Sequence, residues 1–77
     1  MDKPSPIYYA NRANAHLELF NIEECIADCN QAILIDQEYT KSYYRKAKAL
    51  QYKQKYNEAM ETIDFVITKE PNNTDIL

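Results

Sequence analysis

Apolar residues recur along the chain in four stretches, each with the spacing of one face of an α-helix. The first two stretches contain Tyr9, Ala13, His16, Leu17 and Phe20, followed by Ile22, Cys25, Ile26, Cys29 and Ile33. The last two contain Tyr43, Ala47 and Leu50, followed by Tyr56, Ala59, Met60, Ile63 and Ile67. Residues three and four apart share a helix face. The pattern therefore predicts four amphipathic helices and an all-α fold.

Capping residues indicate where three of these helices begin. Ser5 is a favoured N-cap, and Pro6 after it suits the first helical position. Asn21 is predicted to cap the second helix, with Glu24 three residues later completing a capping box. Thr40 is predicted to cap the third helix, because its hydroxyl can accept a hydrogen bond from the first turn.

The chain repeats its own pattern after an offset of 34 residues, which aligns Tyr9 with Tyr43 and Ala13 with Ala47. Most aligned pairs keep their apolar or polar character, which chance seldom arranges over so many positions. The repeat predicts two helix-turn-helix units, at residues 6–39 and 40–73, with turns at residues 20–21 and 54–55. A period of this length is typical of stacked repeats.

The units resemble the tetratricopeptide repeat, a helix-turn-helix unit of 34 residues. The matching positions are an aromatic at the fourth place, alanine at the eighth, apolar residues at the seventeenth, small residues at the twentieth and a proline near the end. They are occupied by Tyr9, Tyr43, Ala13, Ala47, Ile22, Tyr56, Cys25, Ala59 and Pro71. The resemblance covers nearly the whole chain and implies a short right-handed α-solenoid. The turns depart from the family, because Phe20 and Gln54 stand where glycine is common.

Size and composition remove several function classes. A chain of 77 residues is too short to enclose a large enzyme cavity. Without glycine it cannot form a glycine-rich phosphate loop or a dinucleotide fingerprint. Its net charge of −3 argues against nucleic-acid or membrane-surface binding through bulk charge. It has no apolar run near the roughly 20 residues of a membrane span, so a cytoplasmic location is expected.

Basic residues are concentrated in the second unit, where six of the nine lie between residues 41 and 55. Lys41, Arg45 and Lys48 fall at helix positions i, i+4 and i+7 and therefore share a face. Asn11 and Asn14 hold the same unit positions as Arg45 and Lys48. In the family that the chain resembles, first helices line a concave surface, so these donors are expected in a groove that suits a carboxylate.

The same positions resemble the carboxylate clamp of the co-chaperone class of these repeats. That clamp uses an Asn-Arg pair in the middle repeat, matched by Asn11, and a Lys and an Arg four apart in the third, matched by Lys41 and Arg45. The resemblance implies an adaptor that binds the acidic C-terminal tail of 70 and 90 kDa heat-shock chaperones. Lys48, Asn14 and Tyr44 are expected beside the clamp, with Tyr8 and Tyr52 on or near the groove side.

The resemblance also implies an incomplete clamp. Two further clamp residues of that class, a Lys and an Asn, come from a preceding repeat that this chain lacks, so weaker binding is expected. Residues 74–77 are expected to begin a truncated capping helix.

Other interpretations stay open. The lysines can form a merely solvated helix face. The exposed ends of two units can instead serve a structural or self-associating scaffold. Nucleic-acid binding is disfavoured because acidic helices flank the basic one. No catalytic residue, cofactor or metal site is predicted: His16, Cys25 and Cys29 lie in apolar stripes and are expected to be core residues, the cysteines as reduced thiols.

Overall fold

The computed structural model describes residues 5–69, the side chain of Lys69 excepted. It contains α1 (Pro6–Glu18), α2 (Ile22–Ile35), α3 (Thr40–Tyr52) and α4 (Tyr56–Lys69). No strand occurs within these residues, so the all-α prediction is confirmed. The expected start of a capping helix at residues 74–77 lies outside the described residues. No helix in the described part is long and apolar enough to cross a membrane.

The four helices form two stacked hairpins. α1 packs on α2 and α3 packs on α4, while α2 and α3 form the interface between the hairpins. α1 also contacts α3, so the first helices of the two units lie side by side. This neighbouring arrangement of α1 and α3 builds the surface on which the predicted site residues lie.

Small side chains form the centre of the stack. Ala13, Cys25, Cys29 and Ala49 are all fully buried, and Leu17 completes their cluster. Ala49 belongs to α3, so the second unit closes the core of the first. Such short side chains let the helices approach closely without leaving voids. The prediction that both cysteines are core residues is confirmed, and both thiols are free.

The N-terminal cap of α1 is confirmed, Asn21 is the N-cap residue of α2 without a side-chain cap, and the prediction for Thr40 is wrong. The Ser5 hydroxyl accepts a hydrogen bond from the Tyr8 backbone N–H at 3.2 Å. Asn21 makes no side-chain cap, because its amide is turned toward α1, with Nδ2 3.4 Å from His16 Nδ1. The N-cap of α3 is Tyr39, and Thr40 is already the first helical residue.

An earlier turn explains the shifted start of α3. The Glu38 backbone N–H donates to Asp36 Oδ1 at 2.9 Å, and the Tyr39 N–H donates to the Asp36 carbonyl at 3.2 Å. Asp36, the first residue after α2, thus stabilises a turn over residues 36–39. The helical conformation then begins one residue before the predicted position.

Both turns between paired helices are confirmed, and both require a left-handed residue. Phe20 has φ of 59° and Gln54 has φ of 63°. In each turn the next N–H reaches back to a carbonyl five residues earlier, Asn21 to His16 and Lys55 to Leu50, at 2.8 Å. These are the hydrogen bonds of a Schellman C-cap, in which glycine normally supplies the positive φ. Non-glycine residues adopt this conformation at an energetic cost.

The predicted apolar stripes are only partly buried. Met60 and Tyr56 on α4 are 64% and 59% exposed, and Phe20 is 69% exposed. In the first unit, the residue aligned with Met60 is Ile26, which packs against the core under α3. Within residues 5–69 no further helix follows α4 to cover Met60 in the same way. The apolar stripes correctly identified one face of each helix. Whether such a face is buried depends on the packing of the neighbouring unit.

The left-handed turns generate a stability prediction. We expect Gln54→Gly to raise the free energy of unfolding by about 0.5–1 kcal/mol, because glycine adopts φ near +60° without a Cβ clash. The matched change Gln31→Gly, at an exposed position inside α2, should lower it by about 1 kcal/mol. Urea denaturation measures both. Equal effects of the two changes would contradict this account of the turn.

The buried thiols generate a pH prediction. The hydrogen bond with Cys25, together with burial, raises the pKa of the Cys29 thiol far above its ordinary value. A raised folded-state pKa contributes stability that is present below the unfolded thiol pKa of about 8.5 and is lost as pH rises above it. We therefore expect the unfolding free energy to fall less steeply above this pH in the double change Cys25→Ala with Cys29→Ala, which removes both buried thiols, than in the unchanged chain. Identical slopes in urea titrations would refute this.

Candidate functional site

The six predicted site residues all lie on the two first helices. Asn11 and Asn14 are on α1, and the other four are on α3. The exposed members are Asn11, Lys41 and Lys48, and the half-buried members are Asn14, Tyr44 and Arg45. α1 and α3 are in contact, so the two helices that carry these residues are neighbours in the structure.

Tyr44 organises two of the cations. The Arg45 Cζ atom lies 5.9 Å from the centroid of the Tyr44 ring, and the Lys48 Nζ atom lies 5.7 Å from it. Both are within the range of a cation–π contact, which favours positive charge near the ring. The structure thus brings Tyr44, Arg45 and Lys48 together as a cluster. Asn11 and Lys41 make no hydrogen bond to this cluster among the described residues.

No ion pair among the described residues neutralises the three cations of the shared face. Within residues 5–69, the ion pairs involve Arg12, His16, Lys53 and Lys55, and none involves a carboxylate bound to Lys41, Arg45 or Lys48. Each free cation keeps all its hydrogen-bond donors for another acceptor. A negatively charged ligand would therefore meet three uncompensated positive charges here.

Two other basic residues of the second unit, Lys53 and Lys55, have acidic partners. Lys53 pairs with Glu23 across the two units, linking the end of α3 to the start of α2. Lys55 Nζ lies 3.7 Å from Glu58 Oε2 at the start of α4. Within residues 5–69, Lys53 and Lys55 of the basic run are therefore bound to acidic side chains, whereas Lys41, Arg45 and Lys48 are not.

The sequence pattern did not indicate the bidentate contact between Arg12 and Asp28. Arg12 donates from Nε to Asp28 Oδ2 and from Nη2 to Oδ1, both at 2.8 Å. Its Nη1 donates to the Tyr8 hydroxyl at 3.0 Å, and its Cζ lies over the rings of Tyr8 and Tyr9. Asp28 is only 5% exposed, and its hydrogen bond to Arg12 raises the pKa of that arginine.

One feature of the sequence could have indicated this pair. Asp28 falls between Cys25 and Cys29 on the buried stripe of α2, and an acid in that position needs a partner. His16 Nε2 also approaches Asp28 Oδ2, at 3.6 Å. His16 is therefore half-buried beside a carboxylate, where sequence analysis placed it in an apolar core. The Tyr8 hydroxyl accepts a hydrogen bond from Arg12 within α1. The Arg12–Asp28 pair holds α1 to α2, while Asn11 stays exposed.

A second groove adjoins the cationic cluster. It lies between α3 and α4, has a volume of about 470 Å³ and shares Tyr44 and Lys48 with the cluster. Its other lining residues are Ala47, Gln51, Ala59, Met60, Ile63 and Asp64. The groove combines apolar side chains with one charge of each sign, so it offers a partly apolar surface next to the donors.

Comparison with known proteins identifies the repeats. The family model described as Tetratricopeptide repeat matches residues 7–39 and 40–73. Serine/threonine-protein phosphatase T of Aspergillus oryzae is 39% identical over 70 residues, which are 91% of this chain and 15% of that protein. Hsp70/Hsp90 co-chaperone CNS1 of Saccharomyces cerevisiae is 41% identical over 70 residues, 90% of this chain and 18% of that protein. The chain thus spans less than a fifth of each of these relatives.

A solved structure with a bound peptide is similar to this chain. The second TPR domain of human RPAP3, in complex with the HSP70 peptide SGPTIEEVD, has a TM-score of 0.88 and 38% identity. The match covers 94% of this chain and 60% of that one. The two units therefore share the fold of a TPR domain that was solved with the peptide SGPTIEEVD.

The Arg12–Asp28 pair generates a prediction for stability. We expect Asp28→Asn to lower the urea midpoint of unfolding, because the guanidinium loses its charged bidentate acceptor and a buried amide NH₂ then faces its donors. Asp64→Asn makes the same chemical change at an exposed position and is the matched control. If both variants unfold at the same urea concentration, the pair does not hold α1 to α2.

Proposed function

This chain is a member of the tetratricopeptide repeat family, and we propose that it is an adaptor module that binds the acidic C-terminal tail of Hsp70- or Hsp90-class chaperones. The observation that carries the proposal is the set of three uncompensated cations, Lys41, Arg45 and Lys48, beside the exposed amide of Asn11. A peptide ending in aspartate supplies two carboxylates at one position, which such a set of donors can satisfy together.

Each residue has a role that follows from its donors. Lys41 and Arg45 bind the terminal carboxylates, and Asn11 donates from the neighbouring helix. Arg45 suits a bidentate contact because its guanidinium is planar, whereas Lys41 acts as a point charge. Tyr44 positions Arg45 and Lys48 through its ring. Lys48 and Asn14 then lie where an acidic residue before the terminus would pass.

Two comparisons support this assignment. The RPAP3 domain that shares this fold was solved with an HSP70 tail peptide, and CNS1 is named as an Hsp70/Hsp90 co-chaperone. The phosphatase relative contains these repeats as 15% of its length. The proposal is accordingly for a module that binds and does not catalyse, acting in the cytoplasm, without nucleic acid or membrane as partner.

A structural scaffold that associates with itself is the second candidate function. The observation that favours it is the open groove between α3 and α4, in which Met60 is 64% exposed. Burial of such a side chain in a second copy would stabilise a dimer. Light scattering of the chain at high concentration tests this candidate, and a monomer throughout would remove it.

Peptide binding generates the central prediction. We expect a peptide ending in Glu-Glu-Val-Asp to bind as the free acid and to lose about tenfold or more in affinity when its C-terminus is amidated. The reason is that charge-assisted hydrogen bonds contribute about 1.5–3 kcal/mol, and 1.4 kcal/mol is a factor of ten. Isothermal calorimetry measures both affinities. Equal binding of the acid and the amide would exclude carboxylate recognition.

Substitutions test which residues bind the carboxylates of the peptide. The double change Lys41→Ala with Arg45→Ala should remove binding of the free acid. Lys55→Ala removes one charge from a lysine that already pairs with Glu58 and should leave the affinity nearly unchanged. Binding that survives the double change would show that another surface holds the peptide.

A further inference from the structure

We propose that the surface at the C-terminal ends of α1 and α3, next to the surface proposed to bind the chaperone tail, selects an arginine in the bound peptide through the carboxylate of Glu18 and the paired rings of Phe20 and Tyr52. This inference rests on the proposed function, because it needs a peptide anchored by its C-terminal carboxylate. It adds a preference for a cationic side chain upstream of the acidic terminus.

Glu18 lies on the same face of α1 as Asn11. The two are seven residues apart, which is close to two helical turns and about 10 Å along the axis. Glu18 is exposed, and within residues 5–69 no basic side chain pairs with it. The face that offers an amide donor at one end therefore carries an uncompensated negative charge at the other.

An exposed aromatic pair lies beside this end of α1. The rings of Phe20 and Tyr52 meet edge to face, with centroids 5.4 Å apart and planes at 77°. Phe20 is 69% exposed and Tyr52 57% exposed. Tyr52 holds the unit position on α3 that Glu18 holds on α1, 34 residues earlier. The pair thus bridges the ends of the two helices that line the groove.

A carboxylate beside aromatic rings is a surface that suits a guanidinium. Arginine forms bidentate contacts with carboxylates and stacks on aromatic rings, whereas lysine offers a more strongly hydrated point charge. The chain contains the same combination internally, since Arg12 binds Asp28 in bidentate fashion and lies 5.3 Å from the centroid of Tyr8. The end of the groove offers these components without an arginine of its own.

The positions of the charged side chains on α1 and α3 also determine the order of charges that a complementary peptide would carry. Lys41 and Arg45 lie in the first two turns of α3, Lys48 lies in its third turn, and Glu18 lies in the last turn of α1. The basic residue that follows α3, Lys53, is already paired with Glu23. A complementary peptide is acidic at its C-terminus and basic several residues before it.

Chain geometry limits where the arginine must lie. An extended peptide advances about 3.3 Å per residue, so 10 Å corresponds to about three residues beyond the anchored carboxylate. The length of the arginine side chain allows one or two residues more. Positions four and five before the terminal aspartate are therefore the ones to vary.

The experiment compares free-acid peptides that end in Glu-Glu-Val-Asp and carry either alanine or arginine at one of these two positions. We expect one arginine peptide to bind about 3- to 10-fold more tightly than its alanine counterpart, by fluorescence anisotropy. Glu18→Gln should abolish that ratio. Glu24→Gln, an equal change of charge at an exposed position on α2, should preserve it.

A second variant tests the aromatic pair. Phe20→Gly keeps the turn, because glycine accepts the positive φ at this position, and should also reduce the arginine preference. If the free acids bind but arginine brings no gain at any position, or if Glu18→Gln retains the gain, the inference is wrong and the clamp stands. If no free-acid peptide binds, the proposed function and this inference are both overturned.

Discussion

The close approach of helices through small buried side chains is the constraint on which the rest of the structure depends. Ala13, Cys25 and Cys29 of the first unit meet Ala49 of α3, and all four are fully buried. A larger side chain at any of these positions would separate the units. Because α3 enters this small-residue surface, it lies beside α1, and the helices that carry Asn11 and Arg45 become neighbours.

Much of the fold was predictable because it depends on local and repeated patterns. Periodicity identified the helices, and the Ser5 cap lies where residue preference places it. The Asn21 cap failed because its side chain contacts His16 instead of its own helix. Exposure of Met60 also escaped prediction, since periodicity locates an apolar face but does not say whether another helix covers it.

The sequence indicated which residue types the candidate site contains, but not which of the cations are paired with acidic side chains. Spacing placed Lys41, Arg45 and Lys48 on one face, but only the structure distinguishes these unpaired cations from Lys53, which is bound to Glu23. The Arg12–Asp28 contact lay beyond prediction for the same reason. Such pairs depend on how two helices approach each other, and single-helix patterns carry no information on that distance.

The asymmetry between the two units determines where the molecule opens first. The groove of the first unit is filled by α3, whereas the aligned groove of the second unit, about 470 Å³, is open. Within residues 5–69, α2 is therefore packed against a helix on both sides and α4 on one. Amide hydrogen exchange should reach α4 before α2. A peptide anchored across α1 and α3 would suppress separation of the units while leaving fraying of the last helix largely unchanged.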